Sequence, residues 1–419
     1  MEKVALKIQR RRYSKGAVFE VSLHKLLRRE LGECPDIIAL REAFLHDGHV
    51  CMAYEKHGRS LDAAIDRGPL PLARVKRVTG ELLRAIERMH RCGYAHTDIK
   101  PDNILYDART GTARLADLGS ADNRFKRGST FGTREYMVPE LIIGAPLSTA
   151  VDLWSLGCTV FEMLTGRRLF SPRKAAAKKY REFSRDEDAI ETPLAESVKA
   201  DEAAEKAEQF KPGTIIAGKY ALEKILGSGR YGTVWLAQQL NNNPFDGTYA
   251  TLWGYASSLP GSSSIEGQKN PAEEKWRDAR GADDLLDLTL NYEHLLEMIR
   301  LRGPLPPPMI QSALYRTAYF EEDGSPRFRP TIRRTSLRAL IQRLIKLPTK
   351  ETDIAADFLA DLLSVDPSAR SSASVALAHP WLRARANPHS ETALTPLAAP
   401  ASKTRAVPHP SAAAAPRRA

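Results

Sequence analysis

Residues Tyr94 to Leu105 read "YAHTDIKPDNIL", and the spacing of their charged and amide side chains decides how the rest of the chain is read. His96, Asp98, Lys100 and Asn103 follow H-x-D-x-K-x-x-N, a regularity that a merely solvated loop does not need. Moving a phosphoryl group asks little covalent chemistry of a protein. It requires an oriented acceptor hydroxyl, a neutralised triphosphate and a metal held in place. Asp98 can accept the hydroxyl hydrogen, Lys100 can approach the γ-phosphate, and Asn103 can take Mg2+.

Downstream, "ADLGSA" places Asp117 where it would hold Mg2+ bridging the β- and γ-phosphates, with Gly119 giving the next turn its backbone freedom. The stretch "GTREYMVPE" then sets Thr133 to bond near Asp98 and Lys100, and brings Glu140, an acid that needs a buried cation; Arg370 of "DPSAR" is the expected partner.

The 419 residues, 42% hydrophobic and 27% charged, can bury a large core. Cys34, Cys51, Cys92 and Cys158 form no C-x-x-C pair, so neither a zinc site nor a disulfide framework is indicated and a reducing compartment is expected. The N-terminal "MEKVALKIQRRR" lacks an apolar signal region and no later run is long enough to span a membrane, so a soluble protein without a membrane partner is expected. The net charge of +11 is spread without aromatic interleaving, so direct nucleic-acid binding is not expected.

Taken together, these motifs resemble those of eukaryotic protein kinases, and more narrowly the SR-protein kinases of the group that also holds the cyclin-dependent and dual-specificity kinases. The narrower resemblance rests on Thr97 before Asp98, on "DLG", on "HVCMAYEKHGRSL" and on "FSRDEDAI"; it covers residues of about 3–190 and 291–385. It implies an α+β, bilobal kinase fold with a small β-rich lobe and a large helical lobe. The expected organisation is residues 1–58 as small lobe, 59–171 as the first part of the large lobe, 172–290 as an insert, 291–386 as the remaining large-lobe helices and 387–419 as a disordered basic tail.

The resemblance also implies roles in the small lobe. Lys7 of "VALK" would pair the α- and β-phosphates of ATP, Ala5 would touch adenine, and Glu20 would hold Lys7. Tyr54 reads as the residue guarding the back of the pocket, with Glu55 and His57 offering hinge backbone groups and Leu105 forming the floor. His24 stands where the family places an apolar residue against the D-L-G turn, which bears on how tightly the active arrangement closes. Thr97 replaces the arginine that elsewhere receives an activation-loop phosphate, so activity independent of phosphorylation at Ser129 or Thr130 is expected. The implied substrates are Arg-Ser-rich splicing proteins, attracted in part by Asp186, Glu187 and Asp188; the implied state is a monomer in cytoplasm and nucleus.

One motif is out of order. "GSGRYGTVWLAQ", Gly227 to Gln238, is the glycine-rich loop that kinases carry before the lysine strand, here some two hundred residues after it. Its flanks alternate as two strands, giving a hairpin at about 212–240 in which Gly227, Gly229 and Gly232 would admit phosphates and Val234 would roof adenine. Three readings follow: a permuted but complete kinase, a shuffled and defective product, or a stray loop. A nucleotide-binding scaffold without catalysis is the rival from another class, supported by the missing loop ahead of Lys7 and by His24.

Overall fold

A computed structural model describes residues 2–129, 131–171, 210–228, 232–240, 282–327 and 334–383. Gly229, Thr130, the "FSRDEDAI" run with Asp186, Glu187 and Asp188, and the expected tail at 387–419 lie outside the described residues.

The chain opens with strand β1 (Lys3–Gln9), whose pattern is buried at Val4, Leu6 and Ile8, the period-two signature of a strand packed hard on one face. Helix α1 (Ser14–Leu31) follows, then strands β2 (Leu40–His46) and β3 (His49–Glu55), turned by Asp47 and Gly48 at positive φ. The short strand β4 (Arg59–Ser60) and helix α2 (Asp62–Ile65) lead into α3 (Leu72–Arg91). Val75, Val78, Leu82, Leu83, Ile86 and Met89 are all fully buried along α3, as one apolar stripe at helical spacing requires. Strands β5 (Ile104–Asp107) and β6 (Thr112–Leu115) pair with β4 in a three-stranded sheet. Helices α4 (Pro139–Ile143) and α5 (Val151–Thr165) come next, and all fifteen residues of α5 are buried, so it is the central post of the helical lobe.

The hairpin region then supplies β7 (Ile215–Ile216), β8 (Tyr220–Ser228) and β9 (Gly232–Gln239). Helices α6 (Ala282–Arg302), α7 (Pro307–Gln311), α8 (Arg316–Tyr319), α9 (Leu337–Leu344), α10 (Thr349–Leu362), α11 (Ala373–Leu377) and α12 (Pro380–Arg383) complete the larger lobe. The helix expected from 291 starts at Ala282, because "ADDLLDLTL" opens with acids that suit a first turn and continues the leucine spacing backwards.

The six-stranded sheet has the order β2-β3-β1-β9-β8-β7. The hairpin therefore adds to the edge of the lysine strand: β9 runs antiparallel to β1, with Lys7 opposite Val234, Leu6 opposite Trp235 and Val4 opposite Ala237. Side chains from both parts make one cluster on the outer face, where Val4, Leu6, Ile8 and Phe44 meet Ile216, Tyr220, Leu222, Trp235 and Ala237. Tyr220 stacks on Phe44 and its phenol bonds Glu42, which also pairs with Lys219 at 2.8 Å. In the helical lobe Glu140 and Arg370 form a two-pronged ion pair at 2.8 and 3.1 Å with side chains all but fully buried. The arginine also donates to the carbonyls of Ser364 and Ala150, so the pair is satisfied on both sides.

Candidate active site

The loop after α3 is fixed before it is functional. Asp152, at the start of α5 and fully buried, accepts the backbone N–H groups of His96 at 2.8 Å and Thr97 at 2.9 Å, and lies 2.8 Å from His90 Nε2. Thr97 takes a left-handed backbone, φ 69°, and its hydroxyl donates to Ser120 O at 2.6 Å. A β-branched residue adopts that conformation only when its surroundings impose it.

This scaffold presents Asp98. Thr133 Oγ1 donates to Asp98 Oδ1 at 2.8 Å, Lys100 Nζ reaches Thr133 Oγ1 at 2.5 Å and Asp98 Oδ2 at 2.9 Å, and Asn103 Nδ2 donates to Asp98 Oδ2 at 2.9 Å and its carbonyl at 2.8 Å. Three residues from two loops thus converge on one carboxylate.

Across the cleft, Lys7 Nζ lies 2.8 Å from Glu20 Oε2 and 2.7 Å from Asp117 Oδ1. Burial disfavours the Lys7 ammonium, but the two carboxylates outweigh it and hold its pKa above the ordinary lysine value. Burial likewise opposes the Asp117 charge, and Lys7 reverses the sign, leaving the carboxyl below its ordinary range. Asp117 itself is left-handed, φ 60°. A Cβ on Gly119 would sit 3.3 Å from Glu20 Oε2 and 3.5 Å from Asp117 Oδ1, so glycine leaves those carboxylates room to converge on one ammonium.

Ala5 and Leu105 border the cluster of Val18, Val21, Met52 and Tyr54. Ala5 shares a strand face with Lys7, and Val234 lies opposite Lys7. Glu55 gives its N–H to Ala39 O, so only its carbonyl remains for a hinge contact; its carboxylate accepts from Ala39 N at 3.0 Å and pairs with Arg114. The His57 ring lies 3.3 Å from Thr112 O. Leu118 of the D-L-G turn is buried in the cluster containing Leu23 and Leu27 of α1. His24, one turn beyond Glu20, lies against the Tyr54 ring with centroids 5.6 Å apart. Burial and the nearby Lys7 charge take its pKa down to about 3, so the ring is neutral at pH 7, and the Lys7–Glu20 pair is closed with it in place.

The glycines of the displaced loop do not share one role. A Cβ on Gly232 would stand 2.3 Å from Ile8 O, so this residue is glycine because β9 lies close against β1. This steric reason for glycine stands beside the expected role of Gly232 toward phosphate. A Cβ on Gly227 would meet nothing within 4 Å, so packing gives no reason for glycine there. Sequence reasoning passed over Asp152, although an acid inside the apolar run "VDLWSLGC" is itself a signal of buried donors.

The donor set suits ATP and Mg2+. Asp117 offers a carboxylate and Asn103 an amide oxygen in the same cleft, and Mg2+ takes few protein ligands beside phosphates and waters. Among the described residues no group of three or more His, Cys, Asp or Glu could hold a metal, and no helix is long and apolar enough to cross a membrane.

A sheet-roofed cleft with a paired lysine on one side and a bonded carboxylate on the other defines the protein-kinase class. The family described as "Protein kinase domain" matches residues 1–212, just over half of the 419 residues, and the chain belongs to it. It is similar to serine/threonine-protein kinase AFC3 of Arabidopsis thaliana, 33% identical over 200 residues that cover 40% of this chain and 50% of that protein. It is similar also to serine/threonine-protein kinase prp4 of Schizosaccharomyces pombe, 32% identical over 143 residues covering 33% and 30%. Human dual specificity tyrosine-phosphorylation-regulated kinase 3 is 32% identical over 176 residues covering 40% and 30%. The chain thus spans half or less of the length of these curated relatives.

Proposed function

We propose that the chain is a serine/threonine protein kinase that transfers the γ-phosphoryl of MgATP to protein hydroxyls. The observation that carries the reading is the convergence on one cleft of Lys7, paired with Glu20 and Asp117, and Asp98, bonded to Thr133, Lys100 and Asn103. Bound MgATP would supply the activated phosphoryl group. Lys7 would neutralise the α- and β-phosphates, and Asp117 and Asn103 would hold the metal. Asp98 would orient the acceptor hydroxyl and accept its hydrogen, while Lys100 offsets charge at the γ-phosphate. Gly227, Gly229 and Gly232 would let backbone N–H groups approach the phosphates, with Val234 over adenine and Ala5, Leu105, Glu55 and His57 lining its other sides.

The scaffold rival drew on the lack of a loop ahead of Lys7 and on His24; the pairing of β9 with β1 and the closed Lys7–Glu20 pair beside His24 favour the kinase reading over it. In keeping with Thr97 and the D-L-G sequence, the proposed substrates are Arg-Ser-rich proteins, met by a monomer in cytoplasm and nucleus without direct nucleic-acid or membrane contact. The test is phosphotransfer from labelled ATP to an Arg-Ser repeat peptide and to a Pro-directed one, with parent and Asp98→Asn chains. Transfer to the Arg-Ser peptide that Asp98→Asn abolishes, with ATP affinity kept, is the expected result. Equal transfer by both chains overturns the role of Asp98. A higher kcat/KM on the Pro-directed peptide overturns the substrate class alone.

A further inference from the structure

Glu20 carries two carboxylate oxygens into a place where only 2% of its surface is exposed, and each meets a different donor. Oε2 takes the Lys7 ammonium at 2.8 Å; Oε1 takes the phenol of Tyr54 at 2.6 Å. The first contact is the ion pair that the site requires. The second belongs to a side chain that the phosphoryl-transfer chemistry does not use. We propose that Tyr54 is a positioning residue: its hydroxyl anchors Glu20, and with it α1, in the arrangement that holds Lys7 for the nucleotide. The proposal rests on the kinase reading above and deepens it.

The geometry favours an anchor. Tyr54 stands on β3, directly opposite Ala5 of β1, so its backbone is fixed by the same sheet that carries Lys7. Its ring is buried between that sheet and α1, with His24 on one side and Met52 Sδ 3.4 Å from its oxygen. Glu20, in contrast, sits on a helix joined to the sheet by short connections and held to it at this point by its two oxygens. When phosphates bind Lys7, they compete with Glu20 for the ammonium. The phenol bonds Oε1, the oxygen that Lys7 does not use, so its bond would persist while the lysine is shared. Burial and the adjacent Glu20 charge raise the Tyr54 pKa well above its ordinary value, so the hydroxyl keeps its proton and remains the donor. Without the hydroxyl, Oε1 is a buried charged acceptor with no partner, a state relieved by moving α1 outward toward water. Such a shift lowers the fraction of chains competent to bind ATP and raises the apparent dissociation constant by the same factor.

The test uses the full chain with Tyr54→Phe, which removes one oxygen and keeps the ring. The expected result is an MgATP Kd, and a KM for ATP, raised about tenfold, the lower end of what a hydrogen bond to a charged group supplies, with kcat within about twofold of the parent. In the Glu20→Gln background the same substitution should change Kd little, because the group through which it acts has already lost its charge. A second readout needs no nucleotide: amide hydrogen exchange should rise within residues 14–31 and stay unchanged within 72–91. A Kd unchanged within twofold, equal effects in both backgrounds, or a fall in Tm without faster exchange in α1 each overturns the proposal. A chain that binds ATP in this Tyr54-dependent way but transfers nothing to any peptide would sink the kinase reading and leave the anchor standing. If no ATP binding is measured, the exchange result decides.

Discussion

Alanine placed at Gly232 and, separately, at Gly227 gives two substitutions of the same chemistry, five residues apart, with opposite expected signatures. At Gly232 the new methyl would lie 2.3 Å from Ile8 O and 3.0 Å from Gln9 Cα, both backbone. No side chain can swing aside to relieve that contact, so β9 must lift from β1 at the position where Gly232 pairs with Gln9. Overpacking of this kind costs about 2–3 kcal/mol, and at about 2–4 °C per kcal/mol Tm should fall by about 4–12 °C. At Gly227 the methyl enters open space and φ is not in the left-handed region. Stability should stay within about 0.5 kcal/mol. The methyl would, however, obstruct backbone approach by phosphate, so MgATP affinity should drop about tenfold. The assay is thermal unfolding of both variants and the parent, without nucleotide and with a titration of MgATP. An unchanged Tm for Gly232→Ala would refute the close β1–β9 contact. A Gly227→Ala chain that binds MgATP like the parent would refute the assignment of the hairpin as the nucleotide's roof.

Arg370→Ala strands the buried Glu140 carboxylate and should cost about 3–5 kcal/mol, whereas Glu140→Leu combined with Arg370→Met should recover most of it; denaturant unfolding reads both. Asp152→Ala removes the acceptor of two backbone N–H groups that hold Thr97 left-handed, at about 1–3 kcal/mol each, and phosphotransfer should fall further than MgATP affinity, measured side by side. Ser129→Ala should retain parent activity after phosphatase treatment, because Asp98, Thr133 and Lys100 are joined without a phosphate. Finally, His24 and His294 are buried with pKa values taken down to about 3 by burial first and nearby cations second. Both are neutral in the folded state, so their contribution is complete above the unfolded value near 6.5 and is lost as pH falls toward 3. Each adds a slope of about 1.4 kcal/mol per pH unit in that window, and His24→Leu should flatten the fall in urea midpoint between pH 7 and 5.

The legibility of this chain in its sequence follows distance along the backbone. Asp98, Lys100 and Asn103 lie within six residues of one another on one loop, so spacing alone constrains where their side chains can go. The α3 stripe was readable for the same reason. The bond between Tyr54 and Glu20 joins residues 34 apart, and it exists only because Tyr54 falls opposite Ala5 in the register of β1 and β3, which no local pattern dictates. Asp152 serves N–H groups 55 and 56 positions upstream, and the close contact of Gly232 belongs to a strand pairing, not to the loop motif that made the residue conspicuous.

The displaced hairpin shows why order along the chain matters less than which faces match. Gly232 pairs with Gln9, a separation of 232 − 9 = 223 residues. Counted as a free chain, extending a closing loop from about ten residues to that length takes between four and five doublings, or about 2.7 kcal/mol at about 0.6 each. Against this stand Ile216, Tyr220, Leu222, Trp235 and Ala237, each at most 3% exposed in one cluster with Val4, Leu6, Ile8 and Phe44. A single large apolar side chain buried from water supplies about 1.5–3 kcal/mol, so two of the four large ones already offset the longer connection. The sheet can therefore take the order β2-β3-β1-β9-β8-β7 with its outer strands arriving last in sequence. At the end of that pairing a Cβ at position 232 would stand 2.3 Å from Ile8 O, and glycine there is what lets β9 close against β1.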